Sequence, residues 1–137
     1  MQEERLKLSE RLLNFGASVI KIARSLRKGP VDNHLARQIV RSATSAGANY
    51  EEACSGESRA DFIHKLQIAL KELNETLYWL KLIEKSSQIN LDRDVALLVQ
   101  ENKELCAILA RSGSNCKKPW QQVKYKIKNL LSTICNI

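Results

Sequence analysis

Glycine and proline are scarce in this 137-residue chain, with five and two copies. That scarcity argues against a β-rich or loop-rich fold, because tight turns draw heavily on both residues. No stretch approaches the roughly 18 consecutive apolar residues that a membrane-spanning helix needs. The opening residues Met1-Gln2-Glu3-Glu4-Arg5 are too charged for a secretory leader, so the cytoplasm is the expected compartment. Cys54, Cys106, Cys116 and Cys135 form no C-x-x-C pair, which removes the usual seed of a zinc site and favours reduced thiols.

Catalytic signatures are missing as well. His34 and His64 are the only histidines, and neither has a Ser or Cys at a spacing that suggests a nucleophile pair on one helix. Asp61-x-x-His64 has the form of a di-iron bundle ligand pair, but such centres need the motif on two helices and further glutamates. Glu101-x-x-Glu104 adds carboxylates without a second histidine. Neither the P-loop nor the dinucleotide-binding glycine pattern occurs. A non-enzyme without cofactor or metal is the expectation.

What the chain does have is helix-forming sequence, in an amount suited to one domain. From Glu3 to Lys28 the apolar residues follow three heptad-spaced series, Leu6/Leu13/Ile20, Leu12/Val19/Leu26 and Leu8/Phe15/Ile22. Together they sweep roughly 200° of a helix, wider than one buried face requires. Gly29-Pro30 supplies a stop. A second helix is expected from an Asp32 cap to Cys54, with a small-residue stripe in which Ala43 and Gly47 permit close approach of a neighbour.

Ser58-x-x-Asp61 resembles a capping box and opens a third helix, about 58–86, whose core stripe is Phe62, Leu66, Ala69, Leu70, Leu73, Leu77 and Leu80. Ile68, Trp79 and Leu82 form a second apolar strip away from that stripe. With the wide face of the first helix, this strip points to an oligomer interface; a tail folded back over it is the alternative. A fourth helix, capped by Asn90, should run from Leu91 to Arg111 and end at Gly113. The fold class is therefore all-α: an antiparallel up-and-down four-helix bundle over residues 1–115. A basic C-terminal extension follows over 116–137, read as a short amphipathic helix, with an edge strand as the alternative.

Charge has two readings, a basic surface for acidic partners or solubility alone. The chain carries 22 basic and 15 acidic residues, a net charge of +7. Seven cations and three anions fall in residues 1–30, and five lysines without an acid fall in 116–137. If those segments meet in space they make a basic surface for nucleic acid, with Lys7, Arg11, Lys21 and Lys28 from the first helix and Lys117, Lys118, Lys124, Lys126 and Lys128 from the extension. Without a helix-turn-helix, zinc finger or RNA-recognition signature, binding should be mostly to phosphates.

The segments 41–53 (RSATSAGANYEEA), 57–72 (ESRADFIHKLQIALKE) and 75–80 (ETLYWL) resemble the small four-helix-bundle proteins encoded in intervening sequences of large-subunit ribosomal RNA genes. The resemblance spans about 1–112 and implies an antiparallel bundle and, in relatives, a homopentamer. It also links the chain to the accessory proteins of diversity-generating retroelements, which bind nucleic acid and join a reverse transcriptase. Within these segments Arg41, Ser45, Asn49 and Glu52 form a polar ladder on one flank of the second helix, with Ser42 beside it. Such a ladder can fix register against a neighbouring helix or subunit. Two functions follow as expectations: a homo-oligomeric scaffold binding RNA or DNA, or a protein-interaction module that binds neither.

Overall fold

The computed structural model describes residues 2–86 and 91–114. The expected cap Asn90 and the extension 116–137, with its five lysines, lie outside the described residues. Four helices follow in order: α1 (Gln2–Ser25), α2 (Pro30–Cys54), α3 (Arg59–Lys85) and α4 (Asp92–Ser114). At 1.5 Å per residue each is about 35–40 Å long. Each helix runs back along its predecessor, and all four pack around one core, making an antiparallel four-helix bundle.

Local chemistry sets the helix ends, and three of them differ from expectation. Asp32 is not the cap of α2. The helix begins at Pro30, with Gly29 as its N-cap, and Asp32 sits in the first turn. Proline suits this position because its fixed φ is already helical and its missing N–H would have gone unused. Gly29 has φ 158° and ψ 167°, a conformation essentially reserved for glycine, which is how the chain turns from α1 directly into α2. Consequently α1 stops at Ser25 rather than Lys28. The α3 cap is as read: Ser58 is extended, and its hydroxyl accepts from the Asp61 backbone N–H at 3.1 Å. At the far end α4 continues one residue past Gly113, to Ser114.

The core takes Leu8, Leu12, Phe15, Val19 and Ile22 from α1 and Leu26 from just past its end, so two of the three heptad series are buried. The third faces outward, with Leu6 63 % and Leu13 72 % exposed. On α2 the buried side chains are mostly small, among them Ala43, Ala46 and Ala53. Gly47 lies against Leu12, yet a Cβ there would stand 3.8 Å from Leu12 Cβ, an ordinary contact. The close packing of α1 on α2 therefore needs a small residue at 47 but not glycine in particular. On α3, Leu70 and Leu77 are only half-buried, while Thr76 and Ile83, outside the expected stripe, are buried.

Polar groups inside the bundle are few and specific. Thr76 of α3 donates to Ser42 Oγ of α2 at 2.8 Å, and Ser42 donates to the Ile39 carbonyl at 3.2 Å. Asn102 of α4 is fully buried. Its Oδ1 accepts from the Cys106 thiol at 3.3 Å, and burial pushes that thiol up to about 11, so it keeps the proton it donates. Among the described residues Asn102 Nδ2 has no partner. An orphan buried donor costs about 1–3 kcal/mol. Asn102→Leu is therefore expected to raise the thermal midpoint despite loss of the thiol's acceptor, which a melt followed by circular dichroism will test. A lower midpoint would show that the amide stabilises the fold.

Candidate nucleic-acid interface

Antiparallel order gathers the C-termini of α1 and α3 with the N-termini of α2 and α4 at one end of the bundle. This end carries Lys21 and Arg24 from α1, Arg27 and Lys28 from the link after it, Arg37 from α2, Lys81 and Lys85 from α3, and Arg93 from α4. All eight are exposed, and among the described residues none forms an ion pair. Asp32, Glu84, Asp92 and Asp94 offset only part of their charge. The opposite end is acidic around the α2–α3 connection, with Glu51, Glu52, Glu57 and Asp61.

Of the four cations expected on α1, the structure separates two pairs. Lys21 and Lys28 join the basic end. Lys7 lies toward the other end of α1, and Arg11 is committed to α4: its Nε donates to Glu101 Oε1 at 2.9 Å, and its Nη2 to Glu101 Oε2 at 2.7 Å and Glu104 Oε2 at 2.9 Å. The Glu101 hydrogen bond raises the guanidinium pKa further, against the lowering effect of burial. Glu101 and Glu104, considered above as metal ligands, are the acceptors of this clasp. Among the described residues no group of three metal-ligating side chains occurs.

Sequence reasoning missed Arg24, Arg27, Arg37, Lys81, Lys85 and Arg93 as parts of one patch. Arg24, Arg27 and Lys28 do show helical spacing, a signal that was available. Joining them to α2, α3 and α4 needs the topology. Beside the patch, α1 and α4 part to leave an open cleft of about 290 Å³ lined by Ser18, Lys21, Ser25 and Asp94 over Ile22, Leu91, Leu97 and Leu98. Its size is at the floor of the roughly 300–1,000 Å³ usual for small-molecule pockets.

The ladder residues on α2 divide between two kinds of contact. Arg41 pairs with Glu72 at 3.3 Å and with Glu75, and Glu52 pairs with Lys65 at 2.6 Å, all across to α3. Asn49 instead donates to the Ser45 carbonyl within α2 at 2.8 Å. These ion pairs are largely exposed, so they orient the seam more than they stabilise it.

Next along that seam is Trp79, half-buried like Ile68 and Leu82. Trp79 and Leu82 pack against the rim of the core. The Trp79 indole donates to Glu75 Oε1 at 3.2 Å, and its ring meets His34 edge-on at a centroid distance of 6.1 Å. The hydrogen bond from Arg41, then that from Trp79, hold the Glu75 carboxyl below its ordinary value of 4.5. Because the folded pKa is depressed, this contribution to stability is complete above the unfolded value and is lost as pH falls through the folded one. Carboxyl NMR titration should place the Glu75 midpoint below 4.5, and Arg41→Gln should move it back up.

Among the described residues no helix is long and apolar enough to cross a membrane. Comparison with known proteins finds no match among curated proteins. A solved structure from Bacteroides thetaiotaomicron VPI-5482, a protein with unknown function from the S23 ribosomal protein family, is similar at 35% identity, with a TM-score of 0.70, covering 77% of this chain and 97% of that one. The family model described as 23S rRNA-intervening sequence protein matches residues 4–111, nearly the whole bundle. On this match the chain belongs to the 23S rRNA-intervening sequence protein family.

Proposed function

We propose that this protein is a non-enzymatic helical scaffold that self-associates and holds RNA or DNA through the basic end of its bundle, as an accessory to a larger nucleoprotein. The observation that carries the reading is the set of exposed cations without an ion-pair partner among the described residues, gathered from all four helices. Uncompensated cations on a rigid frame release condensed counterions when they meet phosphates, which supplies affinity without sequence readout. The family's name associates its members with ribosomal RNA genes, which makes structured RNA the natural first ligand.

Self-association is supported by the outward row Leu6 and Leu13 on α1, where a solitary bundle would be polar. A homopentameric ring, the assembly the sequence resemblance implies, repeats the basic end five times and gains avidity with no new contact per subunit. A reverse transcriptase is the partner that the retroelement relatives would suggest. The same exposed leucines favour a second reading, a protein-interaction module that binds no nucleic acid. Titrating the protein into labelled structured RNA at several salt concentrations separates the two. Binding that weakens steeply with salt is the expected result, and no binding at low salt would exclude the first reading.

A further inference from the structure

On the outer face of α3 the side chains at 71, 78 and 85 fall seven residues apart in one row, Lys71, Tyr78 and Lys85, with Lys81 one turn from the tyrosine. All three lysines are exposed, and Tyr78 is 60 % exposed, unusual for a large aromatic ring on a helix whose other face is core. The ring is nonetheless held. It meets Trp79 at 5.1 Å between centroids and 74° between planes, an edge contact that leaves a phenol face uncovered. Trp79 is itself fixed by Glu75 and His34, and Glu75 by Arg41. Tyr78 is thus a supported aromatic surface between cations spaced about 10 Å to either side along the helix.

We propose that Tyr78 is a stacking platform for an unpaired base, with Lys71, Lys81 and Lys85 taking the flanking phosphates, so that the protein prefers single-stranded or looped nucleic acid over duplex. The inference rests on the basic-end reading above and narrows its ligand to unpaired nucleotides. Three features favour this occupant over an apolar protein partner. The three lysines would be costly to bury against an apolar surface, complement a polyanion, and flank an exposed ring that a base could cover. In a duplex the bases are stacked on one another and offer no free face, so only the lysines would engage.

The test uses the full chain with three probes of about ten nucleotides, within the span that single-strand sites usually cover: an RNA strand, the DNA strand of equal sequence, and the corresponding duplex. Tyr78→Ala should weaken single-strand binding about 5- to 100-fold and duplex binding less than about twofold, whereas Tyr78→Phe should keep both. Loss on RNA and DNA alike identifies the unpaired base itself as the ligand. Loss on RNA alone supports a ribonucleotide ligand. Equal weakening of strand and duplex, or a change in oligomeric state by light scattering, overturns the platform. If the wild type binds strand and duplex and Tyr78→Ala alters neither, the platform falls and the basic-end reading stands. If the wild type binds no nucleic acid, both fall.

Discussion

Replacing Arg24, Arg27, Lys28 and Lys85 together by glutamine is expected to lower affinity for structured RNA by about 10²- to 10³-fold near physiological salt. Each phosphate contact contributes about 0.7–0.9 to the slope of log affinity against log salt, so four lost contacts remove about three units of slope and, near 0.15 M, two to three decades of affinity. All four side chains are exposed and none is in an ion pair among the described residues, so glutamine should leave the helices and core intact. Filter binding or anisotropy across a salt series reads both quantities. A slope unchanged from wild type would remove the basic end as the binding surface. The same substitution at Lys117, Lys118, Lys124, Lys126 and Lys128 is the control that assigns charge to the extension: if that variant alone abolishes the slope, the extension binds and the bundle carries it.

The second large effect is expected from Leu13→Glu, which should convert the oligomer to monomers while leaving helix content intact. Leu13 is 72 % exposed in the single chain and Leu6, one heptad earlier, 63 % exposed, so neither contributes much to the fold of one subunit. A carboxylate placed without a partner in a desolvated interface costs several kcal/mol, and in a ring every subunit carries the defect at the same contact. Light scattering measures the change, with circular dichroism as the check on folding. Trp79→Glu is a less clean test. It would break the indole bond to Glu75, remove the contact with His34 and set a second carboxylate beside Glu75, so its effect mixes subunit stability with assembly. A wild-type protein that is monomeric would exclude the assembly outright, and an unchanged oligomer for Leu13→Glu would exclude this face.

Helix spacing in the linear chain was enough to find the four helices, the Ser58 cap and most of the buried stripe, because each depends on residues within a turn or two of one another. The same periodicity separated the Leu6/Leu13 row from the core rows of α1 without saying which row would be left outside. It misplaced the start of α2 because Asp32 is a good cap by composition, whereas Pro30 and the conformational freedom of Gly29 act through the backbone of the turn. Thr76 lies outside the stripe that apolar spacing marks on α3, yet it is buried. Its burial makes sense only when Ser42, 34 positions away, lies opposite it.

What the sequence determined alone is therefore the class of fold, the amphipathic faces and the excess of positive charge. Which charges remain available was decided by packing. Arg11, equal to Lys21 by any local measure, is withdrawn from the surface by Glu101 and Glu104, 90 and 93 residues away. Arg24, Arg37, Lys85 and Arg93 become neighbours at one end only because consecutive helices reverse direction. Local propensity fixes a helix to within a turn. The rotation and register of one helix against another come from many weak nonlocal contacts summed across the core, and those sums select which polar side chains meet across a seam and which are left to solvent.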